Sequence, residues 1–278
     1  MDTFVFAIVI FAAFSHAAWN AIVKNGANST LTTVLVAAFG TLIAACVLPF
    51  TIQPDRESWL FIFASVILQV IYFTLVGHIY RIAEMSQTYP LMRGTAPLLV
   101  AFLGIAIIGE NITLQAWVGI FFICIGILVI ALKSDHSSTK GIWLALLNAL
   151  IIAAYTLVDG IGVRLSHSPI SYVLWIMLFQ GILLVGWRFI DNYSDFINYT
   201  KVYWHLGIIG GLGMMASYGL ALWAMTFLPV VVVAALRETS ILFAMIISAV
   251  FLKEKLTIAN MIASFLIVSG VITLRLAS

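Results

Sequence analysis

Residues 93–130 read RGTAPLLVAFLGIAIIGENITLQAWVGIFFICIGILVI, and residues 237–274 read RETSILFAMIISAVFLKEKLTIANMIASFLIVSGVITL. The two stretches align without a gap at an offset of 144 positions. Eight of the 38 pairs are identical, among them Arg93/Arg237, Thr95/Thr239, Glu110/Glu254, Thr113/Thr257 and Gly126/Gly270. Leucine-for-isoleucine matches carry little weight in so apolar a chain. Two charges repeated with the same 17-residue step carry more, because charged residues are scarce. The stretch is one copy of a duplicated unit, and each copy sets an arginine inside an apolar segment.

Composition excludes a soluble protein. Apolar residues make up 63% of the chain and charged residues 9%, with a mean hydropathy of +1.15. A soluble domain carries about 25% charged residues to keep its surface wet. The formal charge is only +2, so nothing points to a nucleic-acid partner. Cys46 and Cys124 fall in separate apolar segments with no metal-ligand spacing and read as packing residues. No metal or cofactor is expected.

A helix needs about 20 mostly apolar residues to span the bilayer core. Ten such segments can be marked: 3–23, 31–50, 58–80, 88–108, 114–132, 141–163, 171–189, 202–225, 230–252 and 258–276. Lipid offers no hydrogen-bond partners, and runs of this length without period-2 alternation exclude a barrel. The expected fold is an all-α integral membrane protein of ten transmembrane helices. Its longest polar connector is 191–201, and Pro54, Pro169, Pro229 and the polar run 134–140 mark segment ends. The first segment follows Met1-Asp2 without a basic stretch and reads as a retained helix rather than a signal peptide. Eight basic residues (Lys24, Arg81, Lys133, Lys140, Arg188, Lys201, Lys253, Lys255) follow odd-numbered helices, against Arg56, Arg164 and Arg275 on the other side. The positive-inside rule then sets both termini outside.

The offset divides the chain into residues 1–133 (helices 1 to 5), a linker 134–140, and residues 141–278 (helices 6 to 10). Five is odd, so two halves that fold alike must insert in opposite senses. The result is a pair of inverted five-helix repeats about a pseudo-two-fold axis in the membrane plane. Such symmetry supplies two interchangeable conformations with a binding site near the axis, which is the architecture of alternating access.

Tyr89-Pro-Leu-Met-Arg-Gly-Thr-Ala-Pro97, followed by Gly109-Glu110 and a glycine-studded fifth helix, resembles the EamA half-repeat of the drug/metabolite transporter superfamily. His16-Ala-Ala-Trp-Asn20, with Lys24 one turn on, is similar to the first-helix pattern of a bacterial subgroup. The resemblance covers essentially the whole chain. It implies a central cavity between two inverted repeats and secondary transport of a small metabolite, often export of amino acids, in a bacterial inner membrane. The second half departs from the pattern, since Ala234, Glu238 and Ile241 stand where the first has Pro90, Gly94 and Pro97.

A charged side chain at mid-bilayer costs at least about 2.5 kcal/mol on insertion scales, so it is normally paired or faces water. Arg93 and Arg237 lie six and eight residues into their helices, beyond snorkelling depth. A guanidinium presents five donors in a planar fork suited to carboxylate or phosphate. The pair reads as an anion clamp, or else as structural cations paired within the bundle. The phosphate-holding basic residues of the related triose-phosphate transporters favour the clamp by analogy. Glu238 is the sole acid well inside a helix, and a carboxyl held away from water exchanges protons nearer neutral pH. It is a candidate proton-coupling group or a fixed counter-ion to Arg93. His16, the second proton candidate, lies with Asn20 and Lys24 on one stripe of helix 1, where an interhelical hydrogen bond would equally account for it. Asn148, Tyr155 and Asp159 form the matching stripe on helix 6, with Asp159 near a helix end where water would account for it.

Trp19, Tyr72, Tyr155 and Tyr218 are candidate substrate contacts, as are the mid-membrane amides Asn20, Gln69 and Gln180. Packing and interfacial positions are the commoner account of such aromatics. Glu110 and Glu254 each precede a threonine by three residues, so a helix-capping role outweighs a catalytic one. Pro90 and Pro97 should kink helix 4. No HExxH, GxSxG or Walker A motif supports an enzyme, and no catalytic residue is assigned. The expected partners are a small-molecule substrate, lipid and possible protons. The alternatives are a flippase-like carrier of an amphipathic substrate, then a channel.

Overall fold

The computed structural model describes residues 1–83, 85–131, 139–251 and 257–277, which form helices and no strand. The elements are α1 Thr3–Asn25, α2 Ser29–Val47, α3 Trp59–Ile82, α4 Met85–Leu103, α5 Leu114–Ala131, α6 Thr139–Leu165, α7 Pro169–Ala224, α8 Val230–Arg237, α9 Ser240–Phe251 and α10 Ile258–Ala277. Eight helical stretches are long and apolar enough to cross a membrane, and Leu114–Ile130 is a shorter apolar helix. Large side chains such as Phe4, Phe50, Leu60, Ile190 and Phe265 lie on the outer surface, as lipid-facing helices require. Lys133, Lys253, Lys255, Glu254 and residues 134–138 of the expected linker fall outside the described residues.

α7 does not run straight. A methyl group built on Gly181 would lie 3.2 Å from the Ala37 carbonyl, and one on Gly211 would lie 3.2 Å from the Val36 carbonyl. Thirty residues of straight helix would part these glycines by about 45 Å. Both reach the same turn of α2, so the chain doubles back between them. The reversal falls where the backbone leaves helical geometry at Asn192, inside the stretch expected as the polar connector 191–201, and at Tyr203, two residues beyond it. Asn192 begins a short helical return: its Oδ1 accepts from Asp195 N at 3.2 Å, an N-cap bond. Phe196 and Tyr199 of this return bury against Leu31, Val34 and Leu35, and the Tyr199 and Thr32 hydroxyls meet at 2.7 Å.

α5 and α10 cross closely through small residues. A methyl on Gly126 would lie 3.0 Å from both the Ala263 carbonyl and Ile267 Cγ1. One on Gly270 would lie 2.6 Å from the Gly119 carbonyl and 2.7 Å from Ile123 Cγ1. At the 144-residue offset Gly126 corresponds to Gly270, Gly119 to Ala263 and Ile123 to Ile267. Each contact is therefore the mate of the other, and rising numbers on α5 meet falling numbers on α10. The two helices run antiparallel about a local two-fold axis.

Segments 4 and 9, each expected to be one helix with Pro90 and Pro97 kinking the fourth, diverge. α4 continues through Pro90 and Pro97 and ends in a π-helical turn, Gly104–Ile108, stopped by Gly109 at φ 73°. The ninth segment breaks into α8 and α9. Glu238 N bonds Ala235 O and Thr239 N bonds Leu236 O, three residues back instead of four, and the Thr239 hydroxyl takes Leu236 O at 2.7 Å. A tightened turn and a side chain competing for the carbonyl end the helix at Arg237.

Candidate functional site

The break in the ninth segment presents Arg237 at the C-terminus of α8, where a helix favours a cation. Glu238 follows in the turn, and Ser240 opens α9. Arg93 approaches from α4 in the other half of the chain, with its Nη2 2.9 Å from Glu238 Oε1. Both side chains are under a tenth exposed. Pro97, having no N–H, leaves the Arg93 carbonyl without its usual helical donor. Arg237 is only half-buried and, among the described residues, has no carboxylate partner. Its guanidinium lies 6.0 Å from the Tyr218 ring centre.

Around this charged centre the structure gathers most of the sequence-predicted residues. Tyr72 and Tyr155 meet edge to face at 6.0 Å between α3 and α6. His16 stacks edge-on against Trp19 at 5.5 Å, its Nδ1 lies 3.3 Å from the Ser217 hydroxyl, and its carbonyl accepts from Asn20 Nδ2 at 2.7 Å. Gln69 Nε2 donates to the Ser65 hydroxyl at 2.9 Å and to Tyr218 Oη at 2.8 Å. Gln180 stays apart: it neighbours Gly181 at the α2 contact, and no hydrogen bond among the described residues ties it to this group.

Six buried side-chain polar atoms among the described residues lack a hydrogen-bond partner, and five belong to this region. They are Trp19 Nε1, Arg93 Nε, Asn148 Oδ1, Glu238 Oε2 and Ser240 Oγ. Such groups are rare in native interiors because each unmade bond costs about 1–3 kcal/mol. Donors and acceptors left open around a guanidinium pair are what a polar solute could satisfy. Among the described residues no cluster of His, Cys, Asp and Glu could hold a metal ion.

The profile of the EamA-like transporter family matches residues 3–132 and again residues 139–276. The chain belongs to the EamA-like transporter family. A solved structure titled "Crystal structure of protein" superposes with a TM-score of 0.73, covering 99% of this chain and 96% of that one at 17% identity, a likeness of fold. No curated protein matches the sequence. The protein is therefore an integral membrane transporter built from two EamA repeats.

Two parts of this EamA-like transporter were not legible from composition and spacing. The first is a latch between its repeats. Glu110 caps α8 rather than α5, its Oε1 accepting from Val230 N at 2.8 Å and its Oε2 from Val231 N at 3.3 Å. Arg164 holds the same carboxylate at 3.0 Å and donates to the Met225 and Leu228 carbonyls at 2.8 and 2.9 Å. Thr113 and Thr257 do cap the helices that follow them. The second part is Asp159, which is fully buried six residues before the end of α6. The expectation of a solvated position fails because α6 runs on to Leu165 and packs closely at the next residue, Gly160, against Val230. Its i+4 spacing from Tyr155 was the available signal.

Proposed function

We propose that the protein is a secondary active transporter that moves a small carboxylate- or other anion-bearing metabolite, an amino acid foremost, by alternating access. The carrying observation is the half-buried Arg237, without a carboxylate partner among the described residues, set beside an Arg93–Glu238 pair that itself leaves Arg93 Nε and Glu238 Oε2 unpaired. Two guanidinium groups against one carboxylate leave a single positive charge for a monoanion, and Arg237 offers it a bidentate fork. Glu238 acts as the counter-ion that holds Arg93, while Trp19, Asn20, Tyr72, Tyr155 and Tyr218 shape the site.

Inverted five-helix repeats give this site its mechanism. The mate-related antiparallel contacts of α5 with α10 support the inversion, because an axis along the membrane normal would run those helices parallel. Counting the doubled-back α7 as two crossings and the divided ninth segment as one supports a count of ten. Arg275 Nη2 reaches Thr3 Oγ1 at 3.3 Å, as an even number of crossings requires of the two chain ends. Arg56, Arg164 and Arg275 then lie outside by the positive-inside rule, in a bacterial plasma membrane. The Glu110–Arg164 latch closes that face. The boundaries 1–133 and 141–278 make the repeats the moving units, and the family resemblance makes export the expected direction.

One observation favours a second reading, an amphipathic or lipid-linked substrate. An open groove of about 430 Å³ lies beside α1, lined by Phe6, Phe11, Phe14, Phe243 and Arg275. Scrambling of a short-chain fluorescent phospholipid by reconstituted protein would favour it. The anion reading is tested by a thermal-shift screen of amino acids, organic acids and phosphorylated metabolites. At least one carboxylate should raise the melting temperature, and Arg237→Ala should abolish that response. An undiminished response in Arg237→Ala would remove the clamp.

A further inference from the structure

Asp159 is fully buried, yet among the described residues no Lys, Arg or His lies within ion-pair distance of it. Its carboxylate is held by two tyrosines from the two arms of α7 and by the Ser65 side chain of α3. Tyr172 Oη donates to Oδ1 at 3.3 Å, and Tyr218 Oη donates to Oδ2. The titratable and charged groups facing it are Tyr172 and Tyr218 from α7, Arg237 from α8 and Tyr155 from its own helix. α3 contributes the neutral Ser65 and Gln69. A buried charge without a cation is costly, by several kcal/mol, so loading a proton is the ready way to relieve it.

We propose that Asp159 is the proton-binding site of this transporter and that Tyr218 couples its protonation to the anion seat at Arg237. This rests on the transport reading above and names the group that reading leaves open. The proton orders follow from the bonds present. Gln69 donates to Tyr218 Oη, so the hydroxyl hydrogen of Tyr218 points to Asp159 Oδ2. A proton arriving at Oδ2 forms an O–H bond there and turns a charged acceptor into a neutral one, so the Tyr218 hydroxyl bond to that oxygen weakens. The ring that lies beneath Arg237 is then held less firmly, which couples the proton to the anion seat.

Charge acts in the same sense. With Asp159 ionised, Arg93, Arg237, Glu238 and Asp159 sum to zero; with it protonated they sum to one positive charge. Proton and anion therefore load together. Net flux follows the sum of their gradients, so export proceeds where the outward gradient of the anion exceeds the inward gradient of protons.

Infrared spectroscopy of the purified protein in lipid, titrated between about pH 5 and about pH 9, tests this without a substrate. Wild type should lose a protonated-carboxyl band as pH rises, Asp159→Asn should lack that band, and Glu238→Gln should keep it. A tyrosine C–O band absent from Tyr218→Phe should shift in step with the titration. Asp159→Glu should restore a titrating band, which separates proton binding from a fold that merely needs a polar side chain. A titrating band that survives in Asp159→Asn, a wild type with no titrating carboxyl, or a Tyr218 band that stays still would each overturn the proposal. A protein that titrates as described but carries no solute would instead overturn the transport reading.

Discussion

Arg93 and Glu238 face each other across the boundary between the repeats, and neither is tolerable there alone. Removing one partner of a buried pair typically costs about 3–5 kcal/mol, because the other charge stays uncompensated. Arg93→Ala and Glu238→Ala should each lower the melting temperature in detergent sharply, while Arg93→Gln with Glu238→Gln should lower it much less. Additive losses would show that the two charges do not act as a pair. The sequence displayed both residues, since charges in apolar segments stand out. It did not display that they meet, because a contact between residues 145 positions apart depends on how the halves dock. Asp159 was harder still, for a helix end drawn a few residues early turns a buried acid into a solvated one.

At the scale of elements, duplication made α4 and the ninth segment from one pattern, and a few replacements drove them apart. α4 stays one helix despite its two prolines and ends in a loosened turn, whereas Glu238-Thr239 tightens the ninth segment into a break. Apolar periodicity marks how long a segment is but is blind to such a break, since both pieces remain greasy. Close helix crossings are set by glycine. Gly211 approaches backbone, with a built methyl 3.0 Å from Gly40 N, while nothing lies within 4 Å of one on Gly186. Gly211→Val should therefore destabilise the protein by separating α2 from α7, and Gly186→Ala should be neutral or slightly stabilising. Thermal unfolding of both variants checks this; equal effects would refute the crossing.

The whole molecule sets an asymmetric charged centre between two related repeats. The all-helical membrane architecture was legible because lipid admits few solutions. The latch was not, since Glu110 finds backbone of the other repeat that no local pattern reveals. If Glu110 and Arg164 hold one face shut, Arg164→Ala should shift the population toward opening there. Spin labels at the exposed positions Glu57 and Phe227 should show a longer, broader distance distribution in that variant; an unchanged distribution would deny the latch its gating role. The central claim meets its most direct test in proteoliposomes. Labelled flux of the best carboxylate from the thermal-shift panel should be saturable, accelerated by the same solute on the opposite side, and abolished by Arg237→Ala. Absence of flux for every carboxylate under any solute or proton gradient, or full flux in Arg237→Ala, would contradict it.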